Sequence, residues 1–117
     1  MPNPVMHFEI MAKGDRKRTQ EFYTQLFGWH IDDDNPMNYG MVDTHSDGAG
    51  IGGGISGDGH YPNVTIYVGV DDLQAALDKA ESLGGKTVAP PMEVPGVVSL
   101  AYFSDPEGNV IGLILNT

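Results

Sequence analysis

Polar and apolar residues alternate along His7-Phe8-Glu9-Ile10-Met11-Ala12, the two-residue period of a half-buried strand. The pattern predicts a strand over about 5–12, then a turn at Gly14-Asp15. Asp15 is a candidate N-cap, and Thr19, Phe22, Tyr23 and Leu26 form one helical stripe ending at Gly28. Trp29 to Ile31 begins a second strand, and Asp32-Asp33-Asp34-Asn35-Pro36 reads as a turn. Tyr39 to Asp43 and the glycine-rich Ala49 to Ile55 are the next two strands. A second alternating run, about 63–70, leads through Asp71-Asp72 into a helix with Leu73, Ala76, Leu77 and Ala80 on one face. That helix stops at Gly84-Gly85. A strand from Lys86 is expected to be limited by Pro90-Pro91, and two final strands flank Asp105-Pro106-Glu107-Gly108-Asn109.

The order strand, helix, three strands thus occurs twice, offset by half the chain. Two copies of so long a unit indicate a duplication closing one domain, not a solenoid. The expected class is α+β, with duplicated βαβββ modules over about 1–58 and 59–117 forming a concave mixed-sheet cleft. Alternation assigns the faces. Phe8, Ile10, Ile66, Val68 and Val70 should meet the helices. His7, Glu9, Thr65 and Tyr67 should line the cleft. Thr65 stands in register with His7, so a histidine pair built on the repeat is ruled out.

Composition narrows the function. The chain has 117 residues and no cysteine, which excludes disulfides, thiolate nucleophiles and thiolate metal sites. It has no apolar run long enough to span a bilayer and no signal-peptide pattern, so a cytoplasmic location is expected. Its net charge of −10 disfavours nucleic acid and anionic membranes as partners. Lys13, Arg16, Lys17, Arg18, Lys79 and Lys86 fall on turns, helices and one strand start. None is placed to clamp an anionic ligand, so a neutral or cationic small molecule fits better.

Several stretches resemble the vicinal oxygen chelate superfamily, which includes glyoxalase I, extradiol dioxygenases and bleomycin-resistance proteins. They are His7-Phe8-Glu9-Ile10, Glu21 through Trp29, Val70-Asp71-Asp72-Leu73, Leu83-Gly84-Gly85, and Phe103 through Leu113. The chain is most similar to small single-domain glyoxalase-like proteins. The resemblance implies the duplicated fold, a tendency to form homodimers, and, from acidic members that sequester cationic antibiotics, binding of a cation. It also implies metal ligands on the first, fourth, fifth and eighth strands. His7 matches the first of these. Thr65 stands where metal-binding members carry His, Gly112 where they carry Glu, and Gly50 to Ile55 offers no imidazole or carboxylate. With one ligand left, no metal and no cofactor are expected.

We therefore expect a glyoxalase-like protein with a degraded metal site that binds a neutral or cationic ligand. Tyr39, Met41, Trp29, Thr65 and Tyr67 are its expected ligand-binding residues. His7 and Glu9, two apart on one strand face, are the candidate acid–base pair of the alternative, a metal-free isomerase or lyase of a small carbonyl compound. Residues that could instead rebuild a metal site around His7 are His30, His45 and His60. Sequence alone leaves open whether the protein is an enzyme.

Overall fold

The computed structural model describes residues 2–57 and 64–116. In chain order the elements are β1 (Val5–Met11), α1 (Arg16–Phe27), β2 (His30–Asp32), β3 (Gly40–Asp43) and β4 (Gly52–Ser56). The same order then recurs in β5 (Val64–Val70), α2 (Leu73–Ser82), β6 (Lys86–Val94), β7 (Val98–Ser104) and β8 (Val110–Leu115). The chain divides into two compact units. One is His7–Val64; the other runs from Thr65 onward and includes the segment before His7.

Within the first unit the strand order is β2-β3-β4-β1, and within the second it is β6-β7-β8-β5. These orders are equivalent, element for element. In each, the first strand lies parallel to the last: Glu9 pairs with Gly54, and Tyr67 with Gly112. The other strand pairs within each unit are antiparallel. The fold is α+β with mixed pairing, as the repeat in the sequence predicts.

The helix starts follow from their caps. Asp15 accepts a hydrogen bond from the Arg18 amide at 3.1 Å, and Asp72 from the Ala75 amide at 2.9 Å. Each carboxylate satisfies an amide that has no partner inside its helix. α1 ends at Gly28, whose φ of 73° is left-handed. It is tied to its sheet by Gln20, a buried side chain whose Nε2 donates to the Ile55 carbonyl at 2.8 Å.

Alternation sets which residues face each helix. In the second unit Val70, Leu73, Leu77, Ala101 and Leu113 form a buried cluster, with Val68, Phe103 and Leu115 packed on it. In the first, Phe8 turns away from His7 and Glu9 to meet Trp29, with ring centroids 5.6 Å apart. Trp29 in turn stacks on Tyr23 of α1 at 5.4 Å and lies 5.1 Å from Phe27.

One boundary differs from the expectation. β6 runs straight through Pro90-Pro91 to Val94, with its pairing register shifting between Ala89 and Met92. It is the outermost strand of its unit's order, where a proline's missing N–H interrupts only one ladder and the shift absorbs the misfit.

Candidate functional site

The open face of the first unit is set by strand pairing. Residues directly opposite one another project to the same side. Glu9 pairs with Gly54 and Gly54 with Met41; Gly52 pairs with Asp43 and Asp43 with His30; Asp32 pairs with Met41. His7, Glu9, Gly52, Gly54, Met41, Asp43, His30 and Asp32 therefore share the face away from Phe8 and α1. It holds three carboxylates, and its strands contribute no lysine or arginine.

At the centre of this face, His7 and Glu9 do not touch directly. Tyr39, the residue before β3, reaches between them. Its Oη lies 2.9 Å from His7 Nε2 and donates to Glu9 Oε2 at 2.8 Å. A phenol has one proton to give. With that proton on Glu9, the contact to Nε2 requires the imidazole to donate, which sets the His7 tautomer as Nε2–H. The rings of His7 and Tyr39 are nearly parallel, 22° apart with centroids separated by 6.2 Å. Burial lowers the His7 pKa below its ordinary value, while the Glu9 charge pulls it partly back up.

Two local features hold Tyr39 in place. Asn35 clamps its backbone from both sides, its Oδ1 accepting from the Tyr39 amide at 2.9 Å and its Nδ2 donating to the Tyr39 carbonyl at 2.7 Å. Between them Asn38 takes a left-handed φ of 51°, a conformation asparagine accepts more readily than most residues. Gly54 then makes room, since a methyl group there would overlap the Tyr39 hydroxyl and ring.

The second unit repeats the device with a different tyrosine. Gly112 lies under the ring of Tyr67, where a methyl group would again overlap. The Tyr67 hydroxyl meets that of Tyr102, and both residues are about 5% exposed or less. Thr65 donates to the Val110 carbonyl at 2.7 Å, which ties its hydroxyl to the neighbouring strand. Tyr102 was not singled out in the sequence. It sits in an alternating strand as an ordinary aromatic, and only its partner across β8 marks it.

The structure sorts the residues selected from sequence. His7, Glu9 and Tyr39 come together, and Met41 joins their face, half exposed at 51%. Thr65 and Tyr67 belong to the second unit's face. Trp29 lies on neither face: it sits on the helix side, partly buried against Phe8 and the α1 residues Tyr23 and Phe27. His45 turns to Asp43, 2.8 Å from Nδ1 to Oδ1. His60 falls outside the described residues. A shallow groove of about 220 Å³ between α1 and β2, lined by Lys17, Gln20, Glu21 and Asp33 among others, contains none of the selected residues.

The metal site that the resemblance implies can be tested against these donors. Tyr39 Oη occupies the gap between His7 and Glu9, and Gly54 has no side chain to offer from the neighbouring strand. Among the described residues, no three His, Asp or Glu side chains converge. A divalent metal held with an open position needs about three protein ligands, and the described residues alone do not supply them.

Duplicated βαβββ units with the first and last strands of each parallel, and a polar open face opposite the helix, define a glyoxalase-type fold. The sequence agrees: the profile of the glyoxalase/bleomycin resistance protein/dioxygenase superfamily matches residues 5–113. The chain belongs to that superfamily.

Relatives include CFP32 of Mycobacterium tuberculosis, provisionally named a glyoxylase, which is 32% identical over 85% of this chain. The anthracycline biosynthesis protein DnrV of Streptomyces peucetius is 31% identical over 84% of it. The chain spans only 41% and 42% of the lengths of these two relatives. A provisionally named lactoylglutathione lyase of Vibrio cholerae is 29% identical over 99% of this chain and 94% of its own length. Among solved structures, methylmalonyl-CoA epimerase from Mycobacterium tuberculosis superposes with a TM-score of 0.65 at 16% identity, covering 97% of this chain and 87% of its own. That likeness shows the fold alone.

Proposed function

We propose that this protein binds a neutral or cationic small molecule on the His7–Tyr39–Glu9 face, without a metal. One observation carries this reading: the Tyr39 hydroxyl is seated between His7 and Glu9, over a glycine. The space between the two groups is filled by a phenol. Glu9, Asp32 and Asp43 on the same face favour a cation, and Met41 and Tyr39 add apolar and aromatic surface worth about 0.5–2 kcal/mol toward it. An anionic ligand would lose its hydration with no cationic partner on these strands. The relative named for anthracycline biosynthesis is compatible with an aromatic ligand. A homodimer in the cytoplasm is the proposed setting. Among the described residues, no helix is long and apolar enough to cross a membrane.

A thermal-shift series with benzyltrimethylammonium, benzyl alcohol and benzoate tests the reading. The cation should stabilise most and benzoate least, and Glu9→Gln should shrink the cation's advantage. Strongest stabilisation by benzoate, or a cation preference untouched by Glu9→Gln, would refute it.

A second reading, a metal-free isomerase or lyase of a small carbonyl compound, draws on the same contacts together with the lowered His7 pKa. The hydrogen bonds from His7 through Tyr39 to Glu9 form a continuous chain along which protons can move, and a base that stays neutral near pH 7 is suited to proton abstraction.

A further inference from the structure

Periodicity marks Thr19, Phe22, Tyr23 and Leu26 as the stripe that α1 should bury, yet the helix is turned so that part of that stripe faces out. The one buried residue of α1 is the polar Gln20. Phe22 follows it by two residues, about 200° around the helix, and so points away from the sheet. Leu26, four residues further on, is the neighbour of Phe22 on that outer side. Phe22, Leu26 and Phe27 at the helix end are each 57% exposed. With about 150–250 Å² in an aromatic side chain, these three leave roughly 300 Å² of apolar surface bare, a size found at interaction sites.

Charge indicates what covers it. Four of the six basic residues, Lys13, Arg16, Lys17 and Arg18, lie in the first turn of α1 or just before it. That turn carries no acid and the last turn no base, so the charges oppose the helix's own macrodipole at one end and leave the other uncompensated. Lys17 is paired with Asp33, whereas Arg18 is exposed and falls on the same side as Phe22 and Leu26. A second α1 lying antiparallel supplies what each end lacks.

We propose that α1 is the interface of a homodimer, packed antiparallel on α1 of a second copy about a twofold axis near Phe22. The proposal rests on the homodimer in the reading above and gives it a surface. With the axis there, Arg18 of one copy lies beside the last turn of the other, whose free carbonyls form the negative end of that helix. Symmetry makes the contact twice. Phe22 meets its own counterpart at the centre, flanked by Leu26 from both copies. A parallel arrangement would instead set Arg18 against Arg18. Elsewhere the net charge of −10 makes two copies repel, and the base-rich α1 is where that repulsion is least. The paired patches form the apolar centre of an interface of about 1,200 Å², the small end of stable ones, so a micromolar Kd is expected.

Size-exclusion chromatography with light scattering on the intact chain tests the proposal. From about 1 μM to about 500 μM, a span bracketing a micromolar Kd, wild type should pass from monomer to dimer mass. Phe22→Ser and Leu26→Ser should raise Kd at least tenfold. Leu83→Ser, at an apolar position of the second unit that is 71% exposed, should change it less than twofold. Arg18→Glu should raise Kd at least threefold while raising the thermal midpoint of the dilute monomer, because an acid there suits the helix's own dipole. Being at an exposed charged position, it carries the test if a serine variant fails to fold. The chain has no cysteine, so Phe22→Cys should link two copies under mild oxidation at least tenfold faster than Leu83→Cys. A dimer whose Kd ignores Phe22→Ser, Leu26→Ser and Arg18→Glu would overturn the α1 interface and leave the homodimer standing. Phe22→Cys linking no faster than Leu83→Cys would overturn the antiparallel arrangement. Wild type that stays monomeric throughout would overturn interface and homodimer together, and sedimentation of that monomer with phosphatidylcholine vesicles would give the patch to a lipid surface instead.

Discussion

Gly54→Ala is the smallest change that tests the centre of the site. The added methyl overlaps the Tyr39 hydroxyl, a shift of the rigid strand β4 is resisted by pairing on both sides, and so the ring must move. Moving it breaks two hydrogen bonds. The one to the Glu9 carboxylate, at 2.8 Å, is of a kind worth about 1.5–3 kcal/mol, and the neutral one to His7, at 2.9 Å, about 0.5–1.5 kcal/mol. Water reaching a half-buried site recovers part of this, and alanine gains about 0.5–1 kcal/mol over glycine within a strand. The expected net loss is about 1–3 kcal/mol, a sizeable share of a small domain's stability of about 5–15 kcal/mol.

Gly52→Ala supplies the control. It lies two residues away on the same strand and face, but among the described residues its methyl would have only the Val42 carbonyl near it, at 3.6 Å. This substitution should be neutral or slightly stabilising. Urea titration followed by far-UV circular dichroism reads all variants, at an m-value of about 1–3 kcal/mol/M. Repeating Gly54→Ala in a Tyr39→Ala background should abolish its cost, because the clashing ring is gone. Equal losses in both backgrounds, or equal losses for Gly52→Ala and Gly54→Ala, would refute the arrangement of Tyr39 over Gly54.

Other expectations follow from the same site. His7 holds a pKa below 6.5 when folded, so the unfolded chain binds its proton more readily. Its contribution is complete above about pH 6.5 and is lost as pH falls through the lowered folded value; urea midpoints between pH 7.5 and 5 should drop more for wild type than for His7→Gln. Asp33, Asp43 and Asp105, held down by Lys17, by His45 and by Asn109 respectively, act in a separate window below about pH 3.8. Elemental analysis of purified protein should find less than stoichiometric zinc, nickel, iron or manganese; one metal per chain that disappears in His7→Ala would show that the donor set described above is incomplete.

Much of this architecture can be read from local signals. The Asp15 cap, the Gly28 stop and the alternation of Phe8 with His7 and Glu9 each depend on residues close in sequence, and each appears where the pattern puts it. What escapes the sequence depends on contacts across strands. Pro90-Pro91 looks like a strand end until β6 is known to be outermost. Trp29 looks like a pocket wall because aromatics serve both cores and pockets; its stacking on Tyr23 puts it on the helix side, away from His7 and Glu9. Tyr39 was legible as an aromatic near the face, but not as the link between His7 and Glu9. Its reach depends on the Asn35 clamp, the left-handed Asn38 and the missing side chain at Gly54, which no periodicity encodes. Tyr102 was missed for the same reason.

The two glycines also constrain how this protein can change. Gly54 and Gly112 occupy matching places in the two units, but the rings above them come from different places: Tyr39 from the approach to β3, Tyr67 from the adjacent strand β5. The gap is shared by both halves, whereas the ring that fills it comes from a different element in each. A mutational route that brings a larger side chain back to either glycine is therefore ordered. The tyrosine has to shrink first, and each half must take that step on its own, through an intermediate that has lost its old contacts without yet gaining new ones. A single substitution at either glycine meets the ring above it, so both positions are constrained to stay small while their tyrosines remain.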